Sequence, residues 1–173
     1  FPYTTLFRSQ VLAKLQGLAG VVGISPAHAR ILGSTADVIG AFDLGVSFLA
    51  GAAIALREQG RLSDLARVLF AQAWAEMELG DWKGATREAE ESVRFAEETG
   101  GTLWIAAAII VKARLAGMVG NLDQSEAYAA EAEALRQLAS LVARILNPKD
   151  NVVYVKGNLH NNGRVLNLGV TLV

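Results

Sequence analysis

No cysteine occurs in the 173 residues, which excludes disulfides and thiolate metal sites and leaves the redox compartment open. Aromatic residues make up only 7% of a chain that is 52% hydrophobic, so much of the apolar content is alanine, the strongest helix former and the usual filler between close-packed helices. The class is α-rich. Charge of one sign is also missing. The 16 basic and 17 acidic residues are intermixed, so no basic stripe runs along the chain and direct nucleic-acid binding is not expected. The longest uninterrupted apolar run, Leu103 to Val111, is closed by Lys112 and Arg114 and falls far short of the roughly 20 residues that span a bilayer. No membrane partner is expected, and a cytoplasmic setting is the default.

Catalytic signatures are scarce as well. No Gly-x-x-x-x-Gly-Lys-Ser/Thr segment is present, so the chain lacks the amide cradle and lysine of a P-loop nucleotide site. His28 and His160 are the only histidines, and neither belongs to a Ser/His/Asp or two-histidine metal arrangement, so both are expected as solvated side chains. Glu90-Glu91, Glu97-Glu98 and Glu131 with Glu133 are acidic pairs, but adjacent residues on a helix do not face one another and such runs form solvated faces. The expectation is therefore no catalytic residue, no metal and no cofactor.

What is present is a beat. Glycine stands at positions 20, 40, 60, 80, 100 and 120. At alternate glycines the match extends further. Gly40-Ala41-Phe42, Gly80-Asp81-Trp82 and Gly120-Asn121-Leu122 each place a large apolar residue two after the glycine, and Gly45, Ala85 and Ser125 follow three later. Leu49, Ala89 and Ala129 align further on, as do Ala52, Ser92 and Ala132. A 40-residue unit of two helices cannot bury its apolar stripe alone, so such units stack to form a continuous core. The expected architecture over residues 10–146 is all-α, a right-handed stack of antiparallel helix pairs, with Phe42, Trp82 and Leu122 buried at equivalent places.

Period and capping place helices at about 10–19, 26–39, 43–58, 62–79, 82–98, 103–119 and 123–145, the last with a break near Ala139. Ser25-Pro26 reads as an N-cap followed by proline at the first helical position, and Gly60, Gly80, Gly100 and Gly120 sit where left-handed residues close a helix. Helix 62–79 carries Leu62, Leu65, Leu69, Ala73 and Met77 as one buried stripe. In helix 82–98, Ala85, Ala89, Val93 and Ala96 face inward, while Arg87, Glu88, Glu91, Arg94 and Glu98 face outward. Trp82 and Trp104 read as core anchors. Trp74 lies off the stripe of its helix.

The two ends differ from the middle. Residues 1–9, Phe-Pro-Tyr-Thr-Thr-Leu-Phe-Arg-Ser, have the form of neither a signal peptide nor a helix start. The string matches the translation, in one frame, of a widely used short-read sequencing adapter. That match predicts an artefactual tail that packs loosely on a fragment of a longer protein. After Asn147-Pro148 the helical pattern stops. Asn162-Gly163 between two β-branched runs predicts a type I′ hairpin within residues 147–173, with Val153, Val155, Leu166, Leu168, Val170 and Leu172 on one face. This tail is either a β appendage or a chimeric join.

The segment Gly80-Asp81-Trp82-Lys83-Gly84-Ala85 resembles the inter-helix turn of a tetratricopeptide repeat, Gly-Asp-Tyr-x-x-Ala, although the period here is nearer 40 than 34 and the Trp-x-x-Leu-Gly start is missing. The run from Leu56-Arg57-Glu58-Gln59-Gly60-Arg61-Leu62 through Ala71-Gln72-Ala73-Trp74 and Leu79-Gly80-Asp81-Trp82 to Ala96-Glu97-Glu98-Thr99-Gly100 and Leu103-Trp104 resembles the helical-repeat region of LuxR-type, MalT-like bacterial regulators. The resemblance covers roughly residues 20–140. It implies a parent protein with a signalling ATPase before the repeats and a helix-turn-helix DNA-binding domain after them. The same repeats accompany AAA-type ATPases and cyclases.

Carrying over the tetratricopeptide register places Arg67, Phe70, Trp74 and Met77 on the concave face of one repeat, Ile110 and Arg114 on the next, and Arg30 on the one before. Arginines and an aromatic there suit a protein segment or a small-molecule inducer. Three functions rank in order: a non-catalytic sensor and coupling module of a LuxR-type regulator, a generic protein-interaction scaffold, and an unrelated helical enzyme fragment. An upstream P-loop and a downstream helix-turn-helix in the gene would separate the first two.

Overall fold

A computed structural model describes the backbone of residues 2–21 and 23–146, and the side chains of residues 7–21 and 23–140. The expected hairpin and His160 lie outside the described residues. Seven helices follow one another: α1 (Pro2–Leu18), α2 (Pro26–Val38), α3 (Phe42–Glu58), α4 (Leu62–Glu78), α5 (Trp82–Glu98), α6 (Thr102–Met118) and α7 (Leu122–Leu146). Among the described residues there is no strand. Two expectations need correction. The first helix begins at Pro2 rather than near residue 10, so most of the 1–9 segment is helical, and α7 runs unbroken past Ala139.

The glycine beat is a chain of repeated corners. Gly20, Gly40, Gly60, Gly80, Gly100 and Gly120 all have positive φ, between 66° and 84°, a region that disfavours any residue with a Cβ. At Gly80 the amide donates to the Met77 carbonyl at 3.1 Å, and the next amide, Asp81, donates to Glu76 at 2.9 Å. These two bonds form a Schellman motif. The same pair recurs at Gly40, Gly60, Gly100 and Gly120. Asp81 also opens the following helix, its carboxylate accepting the Gly84 amide at 3.0 Å. One residue thus ends a helix and starts the next, which fixes a 17-residue helix plus a three-residue corner as the 20-residue unit. Substituting Gly80 by alanine is expected to lower stability by about 1–2 kcal/mol, the left-handed penalty for a Cβ, measured by urea unfolding.

The helices pair as α2 with α3, α4 with α5, and α6 with α7, and each pair also packs on the next. The even helices touch one another as well, α4 against α6 and, less extensively, α2 against α4. They therefore share one face of the stack. One core cluster joins Leu49, Ala52, Ala53 and Leu56 of α3 to Leu65, Val68 and Leu69 of α4. A second joins Ala73 and Met77 of α4, Ala85 and Ala89 of α5, and Val111 and Leu115 of α6. The expected α4 stripe is buried as read, apart from a half-buried Leu62. Small residues set the close approaches. A Cβ on Gly33 would stand 2.6 Å from Leu49 Cγ, so α2 and α3 meet there without room for a methyl group.

The anchor positions are otherwise than expected. Trp82 is 44% and Leu122 65% exposed, and Phe42 is half-buried. Each begins its helix, and side chains there lean back over the corner, beyond the layer where helices meet. The seam is made one turn later, by buried Gly45 and Ala85 and half-buried Ser125, whose hydroxyl donates to the Ala113 carbonyl at 2.9 Å. Ala129 is exposed although Ala89 is buried, because α5 is covered by α6 and α7 has no such neighbour among the described helices. Glu88, expected outside, is buried.

Candidate functional site

The face shared by α2, α4 and α6 gathers most of the residues singled out for binding. The Arg114 guanidinium of α6 stacks over the Trp74 ring of α4, 4.5 Å from its centroid, and pairs with Glu78 at 2.9 Å. One turn and more toward the start of α4, Arg67 stacks over Trp104 of α6 at 4.7 Å, and Phe70 meets the same indole at 6.3 Å between centroids. These are two rungs between neighbouring first helices, each cation–π contact worth about 0.5–2 kcal/mol according to its desolvation. Their spacing follows from the repeat. Trp74 and Arg114 lie one 40-residue period apart, so two parallel helices place them side by side.

Ile110 is 45% exposed on α6. Met77 does not reach the face. It is 1% exposed, a core residue between α4, α5 and α6, because it continues the Leu65, Leu69, Ala73 stripe. Arg30 of α2 is half-buried and lies within electrostatic reach of Arg67 and Asp64; burial, then Arg67, pulls its pKa down. Sequence reasoning missed Glu78, Asp64 and the pairing role of Trp104. The signal for Glu78 and Trp104 was the near-40 spacing to Arg114 and Arg67 on the neighbouring first helix, and for Asp64 the three-residue spacing to Arg61 and Arg67.

Elsewhere the chain holds buried carboxyl groups. Glu76 accepts a hydrogen bond from Gln72 Nε2 at 2.8 Å, while its other oxygen is buried without a partner. Burial raises its pKa above the ordinary carboxylate range, and the charges of Glu88 and Asp81 add to the shift. Leu56, Ala36, Ala96 and Ala116 occupy the equivalent buried place in the other corners. Asp37 sits against Gly45 with one oxygen buried and unpartnered, and burial pushes its pKa up to about 7. His28 caps α2 together with Ser25, its Nδ1 2.9 Å from the hydroxyl. Arg57, Glu88, Glu91 and Arg87 form an ion-pair network on α3 and α5. Among the described residues, no group of three His, Cys, Asp or Glu side chains is placed to hold a metal ion, and no helix is long and apolar enough to cross a membrane.

No protein-family model, curated protein or solved structure matches this chain.

Proposed function

We propose that this chain is a non-catalytic helical-repeat binding module of tetratricopeptide-like, right-handed superhelical form. In this reading the even helices line its concave side. A protein segment or small-molecule inducer occupies that side, and the module belongs to a cytoplasmic LuxR-type regulator. The observation that carries the binding reading is the clustering of Trp74, Arg114, Arg67 and Phe70 with exposed Ile110 across the α4–α6 seam. Half-exposed arginines stacked on indoles are preorganised donors beside flat apolar surface, the composition of interface hot spots. The regulator assignment draws on the Gly80–Ala85 turn and on the sequence resemblance.

The same rungs give the coupling. Each repeat touches only its neighbours, so a ligand that takes Arg114 away from Trp74 alters the angle between two repeats and thereby the curvature of the stack. A flanking ATPase and a helix-turn-helix domain would receive that change.

The test is a set of three assays on the intact chain: nucleotide hydrolysis, DNA gel shift, and tryptophan emission against candidate inducers and the ATPase domain of the parent protein. Trp74→Ala and Arg114→Ala are each expected to weaken binding by about tenfold or more, the range of interface anchors. Turnover of nucleotide, or tight salt-resistant DNA binding, would overturn the reading. Binding unchanged in both variants would remove the site.

A further inference from the structure

We propose that the seam between the N-terminal ends of α2 and α4 is a binding site for a phosphate group, held by Arg30, Arg61 and Arg67 around Asp64. A small cavity of about 50 Å³ opens there, with Arg30, Arg61 and Asp64 at its rim and Leu56 and Val68 among its apolar walls. Arg61 and Arg67 both pair with Asp64, and Arg30 lies within its electrostatic reach. Arg61 is hydrogen-bonded to Asp64 and to Gln59, and Arg67 reaches Asp64 only at 4.0 Å. Arg30 has no ion pair among the described residues, and Arg67 Nε is buried without a hydrogen-bond partner. Burial first, and the neighbouring Arg67 charge second, pull the pKa of Arg30 down. The local balance is +3 from the arginines and −1 from Asp64, leaving +2.

That surplus matches a phosphate monoester, which carries about −1.5 to −2 at neutral pH and offers several strong acceptor oxygens. Arginine forks suit those oxygens better than a point charge does. The N-terminal ends of α2 and α4, with Pro26, Ala27 and Asp64, border the same cavity, so the positive ends of both helix dipoles lie beside it. The cavity takes an oxyanion group and not a whole nucleoside or sugar, whose pockets run to about 300 Å³ and more. Whatever carries the phosphate lies outside, along the shared face. A chain-wide net charge near zero hides this local excess.

The inference rests on the even-helix binding reading and names the chemistry at one end of that face. It is tested with inorganic phosphate as the probe, at low ionic strength, by calorimetry and by the tryptophan indole resonances of the intact chain. The expected result is one saturable site, with a shift of the Trp104 indole that Arg67 overlies and none of the Trp82 indole. Arg30→Gln and Arg67→Gln are each expected to weaken it by about tenfold or more, the loss of a charge-assisted bond. Arg94→Gln, in the Arg57–Glu91 groove on α3 and α5, leaves it unchanged, and Arg30→Lys retains part of it. O-phosphoserine binding more tightly than free phosphate would assign an esterified ligand, and the reverse order a free anion; either supports the site. No saturable binding, equal displacement by chloride, or equal affinity in folded Arg30→Gln would overturn it. Trp74→Ala and Arg114→Ala leave this end of the seam intact, so phosphate binding that survives in them separates failure of the partner reading from failure of this site.

Discussion

Truncating Leu49 to alanine is expected to lower stability by about 2–5 kcal/mol, whereas truncating the much larger Trp82 is expected to cost only about 1 kcal/mol. Leu49 is fully buried and its side chain packs directly on Gly33 of α2, with no room for a Cβ there. Its removal empties the space that the side chain fills against the Gly33 backbone, inside a close-packed core with little freedom to close it. Trp82 begins α5 with 44% of its surface in water, so truncation leaves no enclosed void. Urea unfolding of the two variants, compared at equal slope, checks the order. An equal or reversed ranking would mean that the glycine corner, rather than the layer one turn later, holds the stack together.

Replacing Asp37 by asparagine is expected to stabilise the chain near pH 8 and to flatten its stability between about pH 4 and 7. The carboxyl pKa is raised from 3.8 to about 7 by burial, so the folded chain holds a proton that the unfolded chain has already released in that interval. The unfolded state binds fewer protons there, and stability falls as pH rises through the window and levels off above it. The group faces Gly45 from the last turn of α2, where the negative end of the helix dipole also disfavours its charge. Discounted for partial exposure, the gain is about 1–2 kcal/mol at pH 8. Thermal unfolding of both proteins from pH 4 to 8 checks it. A parent chain with no such slope, or a variant that keeps it, would place the Asp37 carboxylate in water.

Much of the fold was legible because it is written in backbone requirements. Positive φ at Gly60, Gly80, Gly100 and Gly120 follows from the absence of a Cβ, and helix boundaries at Pro26 and Trp82 follow from capping. Burial along α4 followed from one clean periodic stripe. Trp82 and Leu122 misled because size was read as burial, although position within the first turn decides it. The helix expected at 10–19 begins eight residues earlier, at Pro2, because proline suits the first helical position, which needs no N–H.

For the site, the register alone brought Trp74 and Arg114 to one face, since 40 residues is the structural period. Met77 was misassigned because a residue cannot serve both the core stripe and the open face of one helix. Arg67 over Trp104, offset by less than a period, depends on long side chains leaning along their helices. Glu78, whose partner Arg114 stands 36 residues on, was hidden for the same reason, whereas Asp64 pairs with Arg61 and Arg67 at the ordinary three-residue helical spacing.

The central claim, that the even-helix face binds a partner, is tested most directly by selecting short random peptides on the immobilised intact chain and measuring their affinity by fluorescence anisotropy. For the folded Trp74→Ala/Arg114→Ala double variant, affinity is predicted to fall by about 30-fold or more, the loss of an interface hot spot. Peptides that bind the double variant as tightly as the parent, and lose affinity instead when Arg57 and Arg94 on α3 and α5 are replaced, would contradict it.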